Sequence, residues 1–284
     1  MRSVPLLPAV VLLALFMLGP AIWSLYGSLT NASLTGKAAL NPRFIGVKNY
    51  TDLMADPEFW KSIGLTVLFT LASAVVGQNV LGLAIALLQK AAHSVVRALV
   101  GTIVVGAWVL PEIVAAFALY AFFADDGTLN SVLGMINIPV VHWLYEHPML
   151  SVILANVWRG TAFSMMVYGA ALTEVPPEIE EAAKVDGASG WQRLAHITLP
   201  MITRSIATNL MLTTLQTLSV FTLIYVMTAG GPGTDSSTLP VLAYQVAFQF
   251  AKVGYGTAIA TFMLLIGAVF SIIYIRMLKP EVDA

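Results

Sequence analysis

Residues 174–200 read EVPPEIEEAAKVDGASGWQRLAHITLP, a polar stretch between two long apolar runs. Pro176 and Pro177 suit the first positions of a helix, where a missing N–H costs nothing, and Glu178, Glu180 and Glu181 favour the positive end of its dipole. Ile179, Ala182 and Ala183 fall at helical spacing as a small apolar face, and Glu180 and Lys184 stand four apart as an expected ion pair. Gly187 permits a sharp bend. Ser189, followed three residues later by Gln192, has the form of a capping box, and Trp191, Leu194 and Ala195 give a second short helix its own apolar stripe. Two short helices joined at a glycine fit a groove of another protein. A linker lying along lipid headgroups is the alternative that the physics leaves open.

Outward from this linker the chain is apolar. Of its 284 residues, 58% are hydrophobic and 10% charged, too few charges to cover a water-soluble surface of that size and the balance expected of a chain solvated by lipid. A membrane-spanning helix needs roughly 20 apolar residues. The sequence offers six such segments, at 4–26, 64–88, 95–123, 149–173, 205–228 and 254–278, with Glu112 interrupting the third and Arg159 the fourth. The expected fold is therefore all-α, a polytopic membrane protein whose one transmembrane domain covers residues 1–284. Linkers 30–63 and 124–148 carry turn signals such as Asn41-Pro42, Asp56-Pro57 and Asp126-Gly127, and read as extramembrane caps with short interfacial helices. The uncharged run 3–36 behind Arg2 exceeds the roughly 7–15-residue core of a cleaved signal peptide, so it reads as a retained first span.

Lys and Arg near span ends set orientation. Lys90 and Arg97, then Lys184, Arg193 and Arg204, then Arg276 and Lys279 fall on the side of Arg2. The other side has Lys37, Arg43, Lys48 and Lys61 in one long linker, none in the next, and Lys252 in the last. Both termini, and the 174–200 linker with them, are expected on the cytoplasmic side.

Several chemistries are excluded. A net charge of −1 offers no basic field for nucleic acid, and the absence of cysteine removes disulfides, thiolate metal sites and cysteine nucleophiles. No Gly-x-x-x-x-Gly-Lys-Ser/Thr phosphate loop occurs, so ATP has no such site here, and no Gly-x-Ser-x-Gly nucleophile motif occurs. His93, His142, His147 and His196 lack the close spacing of a metal pair. The chain is expected to be no enzyme, with no catalytic, cofactor or metal residues of its own.

The linker closely resembles the coupling-loop signature of bacterial ABC importer permeases: Glu-Ala-Ala, three residues, Gly, nine residues, Ile-x-Leu-Pro. Here these are Glu181, Ala182, Ala183, Gly187, Ile197, Leu199 and Pro200. The extended form, with Asp186-Gly187-Ala188 and Ile197-Thr198-Leu199-Pro200, resembles the carbohydrate-uptake branch typified by maltose and glycerol-phosphate permeases. Phe44-Ile45-Gly46 with Asn49-Tyr50, and the Thr-Ala-Gly-Gly-Pro block at 228–232, agree with it. The resemblance implies a type I importer permease of the compact six-span form in the bacterial plasma membrane. It implies as partners a second permease subunit, two ATPase subunits that hold ATP and Mg, an extracytoplasmic solute-binding protein and membrane lipid. Solute would reach a cavity between the two permeases, and ATP binding would close the cytoplasmic side through the loop. Disaccharide, monosaccharide, polyol and glycerol-phosphate diester all remain open as solutes. The rivals are a secondary transporter driven by an ion gradient through Glu112 and Arg159, and a membrane scaffold whose loop recruits a partner.

Polar groups within the spans give a candidate solute path. Glu112 and Arg159 are costly at membrane depth and are expected to pair with each other, with a partner chain or with solute. Asn156 and Trp158 stand beside Arg159, and Asn209, Thr213 and Gln216 recur at helical spacing along the fifth span. Amides, hydroxyls and an aromatic face suit a sugar. The same Asn, Thr and Gln groups equally suit hydrogen bonds that hold helices together.

Overall fold

The computed structural model describes residues 7–278. Arg2, Lys279 and the first residues of the 4–26 segment lie outside the described residues. Among the described residues the architecture is helical, with one isolated antiparallel bridge between Thr30 and Phe44. Four helices are long and apolar enough to cross a membrane: Val10–Ser28, Pro57–Ala91, Pro148–Thr173 and Val253–Arg276. Two bent helix pairs bring the total to six when each pair counts as one span. The 35 residues of Pro57–Ala91 make about 50 Å of helix, well beyond a hydrocarbon core of about 30 Å. The charged residues Glu58 and Lys61 lie near one end of it and Lys90 near the other, as the excess length allows.

The spans expected at 95–123 and 205–228 fall on the two bent pairs. The first consists of Ser94–Val109 followed by Glu112–Met135, which opens with the helix Glu112–Phe123, and the chain turns through 106° between the two segments. Pro111 is the cause: it has no N–H to donate and its ring drives Leu110 out of the helical region, to φ −56° and ψ 137°. The second consists of Thr203–Leu218 and Thr222–Thr228, bent by 49°. There the Ser219 hydroxyl donates to the Gln216 carbonyl at 2.8 Å, a local bond that competes with helix propagation.

The chain divides into two compact units, one comprising the residues up to Gly64 with Ser237–Ile266, the other Leu65–Ser236 with the residues from Gly267. In the first unit Leu53, Phe59, Leu239, Leu242, Ala258 and Ile259 form a buried core. Asn49 donates through Nδ2 to the carbonyls of Ser28 and Thr30, each at 2.8 Å, and Tyr50 Oη lies 2.6 Å from Ser28 Oγ. These bonds fasten the Lys48–Met54 helix to the end of Gly19–Ser28. They give the Asn49-Tyr50 pair a structural purpose.

In the second unit residues 65–91 pack along Pro148–Thr173, and glycines set the distance. A Cβ on Gly82 would stand 2.4 Å from Ser164 Cβ and 2.8 Å from the Met165 nitrogen, and one on Gly77 would stand 2.3 Å from a Val157 methyl. Small residues that let backbones approach are the ordinary basis of helix association in lipid. Residues 70–78 widen into a π-helical stretch. Its bonds are supported from the side: Ser73 Oγ donates to the Phe69 carbonyl at 2.5 Å and Asn79 Nδ2 to the Ala74 carbonyl at 2.6 Å. The stretch turns Ser73, Gln78 and Asn79 toward the neighbouring helices, where they meet Asn156 and Tyr168.

Candidate functional site

The 174–200 linker folds as two short helices. Pro177–Val185 forms the first and Gly190–Arg193 the second, which continues as a π-turn over Leu194–Thr198. Gly187, at φ +83°, ends the first helix in the left-handed region that favours glycine. The Ala188 N–H donates to the Ala183 carbonyl at 2.9 Å and the Gly187 N–H to the Lys184 carbonyl at 3.2 Å, the paired bonds of a Schellman cap. The interval from Ala183 to Gly187 is thus the interval this cap needs. The capping box forms as expected: the Ser189 N–H donates to Gln192 Oε1 at 2.8 Å and the Gln192 N–H to Ser189 Oγ at 3.3 Å.

Glu181, Ala182, Asp186 and Gly187 are exposed, Ala183, Ala188 and Ile197 are half-buried, and Pro200 is exposed. Val185 is 87% and Trp191 72% exposed, so the loop presents apolar side chains outward. Leu199 instead packs against the buried cluster of Tyr168, Ala171, Leu172 and Ile202. The expected Glu180–Lys184 pair is replaced. Glu180 Oε1 accepts from Lys90 Nζ at 2.7 Å and from Thr198 Oγ1 at 3.4 Å. Lys90 stands at the end of Pro57–Ala91, 90 residues from Glu180 in sequence.

A second site lies where the two bent pairs break. A cavity of about 630 Å³ is lined by Gln78, Trp108, Glu112, Asn156, Arg159 and Gln216, among others. Glu112 opens the Glu112–Phe123 helix, and its Oε1 accepts from the Leu223 N–H at 3.4 Å, in the first turn of Thr222–Thr228. One carboxylate therefore faces the positive ends of two helices, where a negative charge is favoured. Its Oε2 lies 3.9 Å from an Arg159 terminal nitrogen, and Arg159 Nε is buried without a partner among the described residues. The pair is close to neutral overall, yet keeps donor capacity facing the cavity. Non-helical backbone at membrane depth is tolerated where it lines such a space.

The candidate path residues separate. Glu112, Asn156, Arg159 and Gln216 line the cavity, whereas Trp158 is 46% exposed and lies outside it. Asn209 and Thr213 are buried between helices: Asn209 Nδ2 donates to Asn79 Oδ1 at 2.8 Å and to Ser164 Oγ at 2.9 Å, and Thr213 Oγ1 donates to the Asn209 carbonyl at 2.9 Å. Asn156 bridges both settings, donating to Ser73 Oγ at 2.8 Å. Gln78, Trp108 and Thr217 line the cavity without having been singled out in the sequence. The nearest signal for Trp108 was its place three residues before Pro111.

A family model described as a binding-protein-dependent transport system inner membrane component matches residues 78–283. The chain belongs to this family. The permease is 33% identical over 280 residues to the sulfoquinovosyl glycerol transport system permease protein of Agrobacterium fabrum, covering 97% of this chain and 89% of that one. It is 31% identical over 239 residues to the trehalose/maltose transport system permease protein of Thermococcus litoralis, covering 82% and 79%. Among solved structures it is similar to a bacterial ABC transporter involved in the import of the acidic polysaccharide alginate, with a TM-score of 0.82, 25% identity and coverage of 98% of this chain and 94% of that one. Its fold is that of a type I ABC importer permease, and the Glu-Ala-Ala linker is the motif characteristic of the family.

Proposed function

We propose that this permease is one of two membrane halves of an ATP-driven importer for a sugar-like solute. The observation that carries the reading is the exposed two-helix linker, capped at Gly187 and joined to the membrane helices by the Lys90–Glu180 bond and by Leu199. An apolar knob fixed to rigid spans is what a partner's groove can push. Two ATPase subunits, holding ATP and Mg, take the knob from the cytoplasmic side, which also holds both termini by the bias of Lys90, Lys184, Arg193 and Arg276. A binding protein delivers solute on the other side, as the family's description implies. Relatives named for sulfoquinovosyl glycerol and for trehalose/maltose support a sugar-like solute.

The cavity at the two breaks is the transient solute site. The exposed amide of Gln216 exchanges hydrogen bonds with sugar hydroxyls, Trp108 supplies an aromatic face, and Gln78 and Thr217, both bonded to Asn156, form the buried wall behind them. Movement of the linker changes the angle at the breaks and so opens the cavity to one side at a time. Gly187→Pro tests the coupling role, because proline fixes φ near −65° where the cap needs +83°. The variant should reach the membrane in normal amount with ATP hydrolysis no longer tied to uptake. Normal solute-stimulated uptake would overturn the role given to the loop.

A further inference from the structure

A second cavity, of about 690 Å³, lies at the other end of the helix pair that frames the first. Glu112–Phe123 and Thr222–Thr228 pack against each other. Glu112 and Val220 face the first cavity, while Tyr120, Ala124, Tyr225 and Ala229 face the second. Twelve residues from Glu112 to Ala124 correspond to about 18 Å of helix, a distance that several linked sugar units bridge.

The walls of the second cavity differ in chemistry from an ordinary apolar cleft. Three tyrosines, Tyr120, Tyr145 and Tyr225, line it together with Asp125 and Asp126. Tyr145 is 70% and Tyr120 46% exposed, so their rings are open to a ligand. Aromatic faces with carboxylate acceptors form the complement of a sugar ring, whose C–H face stacks and whose hydroxyls donate. Asp125 is engaged with His142 Nδ1 at 2.9 Å, which leaves Asp126 as the open acceptor. Residues 124–148 contain no Lys or Arg, and none lines the cavity among the described residues. The local field is negative.

We propose that this cavity is an outer saccharide subsite, which admits neutral sugars and repels anionic ones such as uronates, sulfonates and phosphodiesters. The assignment rests on the sugar-import reading above. An anionic sugar brought about 5 Å from Asp126 should bind about fourfold more weakly than its neutral counterpart at low salt. This would set the permease's preference apart from a relative named for sulfoquinovosyl glycerol, an anionic solute.

The absence of cysteine from the chain provides the test. In the assembled importer, single variants Ala229→Cys at the outer cavity and Ser219→Cys at the inner one are reacted with a membrane-impermeant maleimide and followed by mass on this chain. The probes are neutral saccharides of one to four residues and uronates of the same lengths. Neutral saccharides should slow labelling of Ala229→Cys severalfold and uronates should not. Tyr145→Ala should raise the sugar needed for half-protection by about fivefold, and Asp126→Asn should let uronates protect. Protection at Ser219→Cys alone would leave sugar import standing and overturn the outer subsite. Protection at neither position by any saccharide would overturn both. Equal protection by uronates would overturn the charge selection. A cysteine at 229 that never labels, or one shielded by the binding protein without sugar, would make the cavity a protein contact instead.

Discussion

Lys90 Nζ lies 2.7 Å from Glu180 Oε1, so the end of one long membrane helix is bonded to the first helix of the loop. Both side chains are partly exposed, and a pair in that setting contributes at most about 1 kcal/mol to stability. Its value is positional. Lys90→Ala and Glu180→Ala should each leave thermal stability nearly unchanged while raising the ATP hydrolysed per solute imported. The exchanged pair Lys90→Glu with Glu180→Lys should restore part of the coupling, and stoichiometry in proteoliposomes reads this directly.

Glu112 and Arg159 should behave as a unit. Removing one leaves the other charge at membrane depth with its counter-charge gone, which is worse than removing both. Glu112→Ala or Arg159→Met alone should lower uptake strongly, and the double variant should recover part of the loss. Uptake rates in a double-mutant cycle would show the coupling. Strictly additive losses would mean that each residue meets the solute separately.

Gly82 and Gly160 face the same helix contact with different consequences. A methyl on Gly82 meets the Met165 backbone at 2.8 Å, whereas one on Gly160 first meets the side-chain amide of Gln78, at 2.2 to 2.4 Å. Gly82→Ala should therefore cost about 1–3 kcal/mol by overpacking, seen as a lower melting temperature. Gly160→Ala should displace Gln78 instead, changing the solute concentration for half-maximal uptake with a smaller loss of stability.

Asn209 is expected to matter for folding and not for solute affinity. Asn209→Leu removes donors from Asn79 Oδ1 and Ser164 Oγ in a buried network, at a cost of about 1–3 kcal/mol. Detergent-resistant yield should fall while the apparent affinity of the surviving protein stays constant.

These contrasts mark what the residues announce and what they do not. The linker was legible because its signals are local: a capping box spans four positions and a Schellman cap six, so Ser189, Gln192 and Gly187 declare their geometry in sequence. Glu112 and Arg159 declared themselves by the cost of charge in lipid, while their proximity, 3.9 Å, came from the structure, because a partner chain or solute would have satisfied the same cost. The turn at Leu110–Pro111 had its signal in Pro111, but its size of 106° was hidden, because a proline in an apolar run can kink a helix slightly or break it. The partner of Glu180 was hidden because Lys90 is distant in sequence, and a four-residue spacing to Lys184 looks sufficient by itself. Asn209 and Gln216 lie on one helical run, yet one faces packed helices and the other a cavity, a difference set by neighbours that periodicity cannot name.

The most direct measurement is purification of the permease from its native membrane in mild detergent, with identification of the co-purifying chains and assay of ATP hydrolysis. The account predicts a second permease and an ATPase subunit in the complex, hydrolysis stimulated by a solute-loaded binding protein, and hydrolysis no longer tied to solute uptake in Gly187→Pro. Recovery of this chain alone, with solute uptake that continues after reconstitution without ATP, would contradict it.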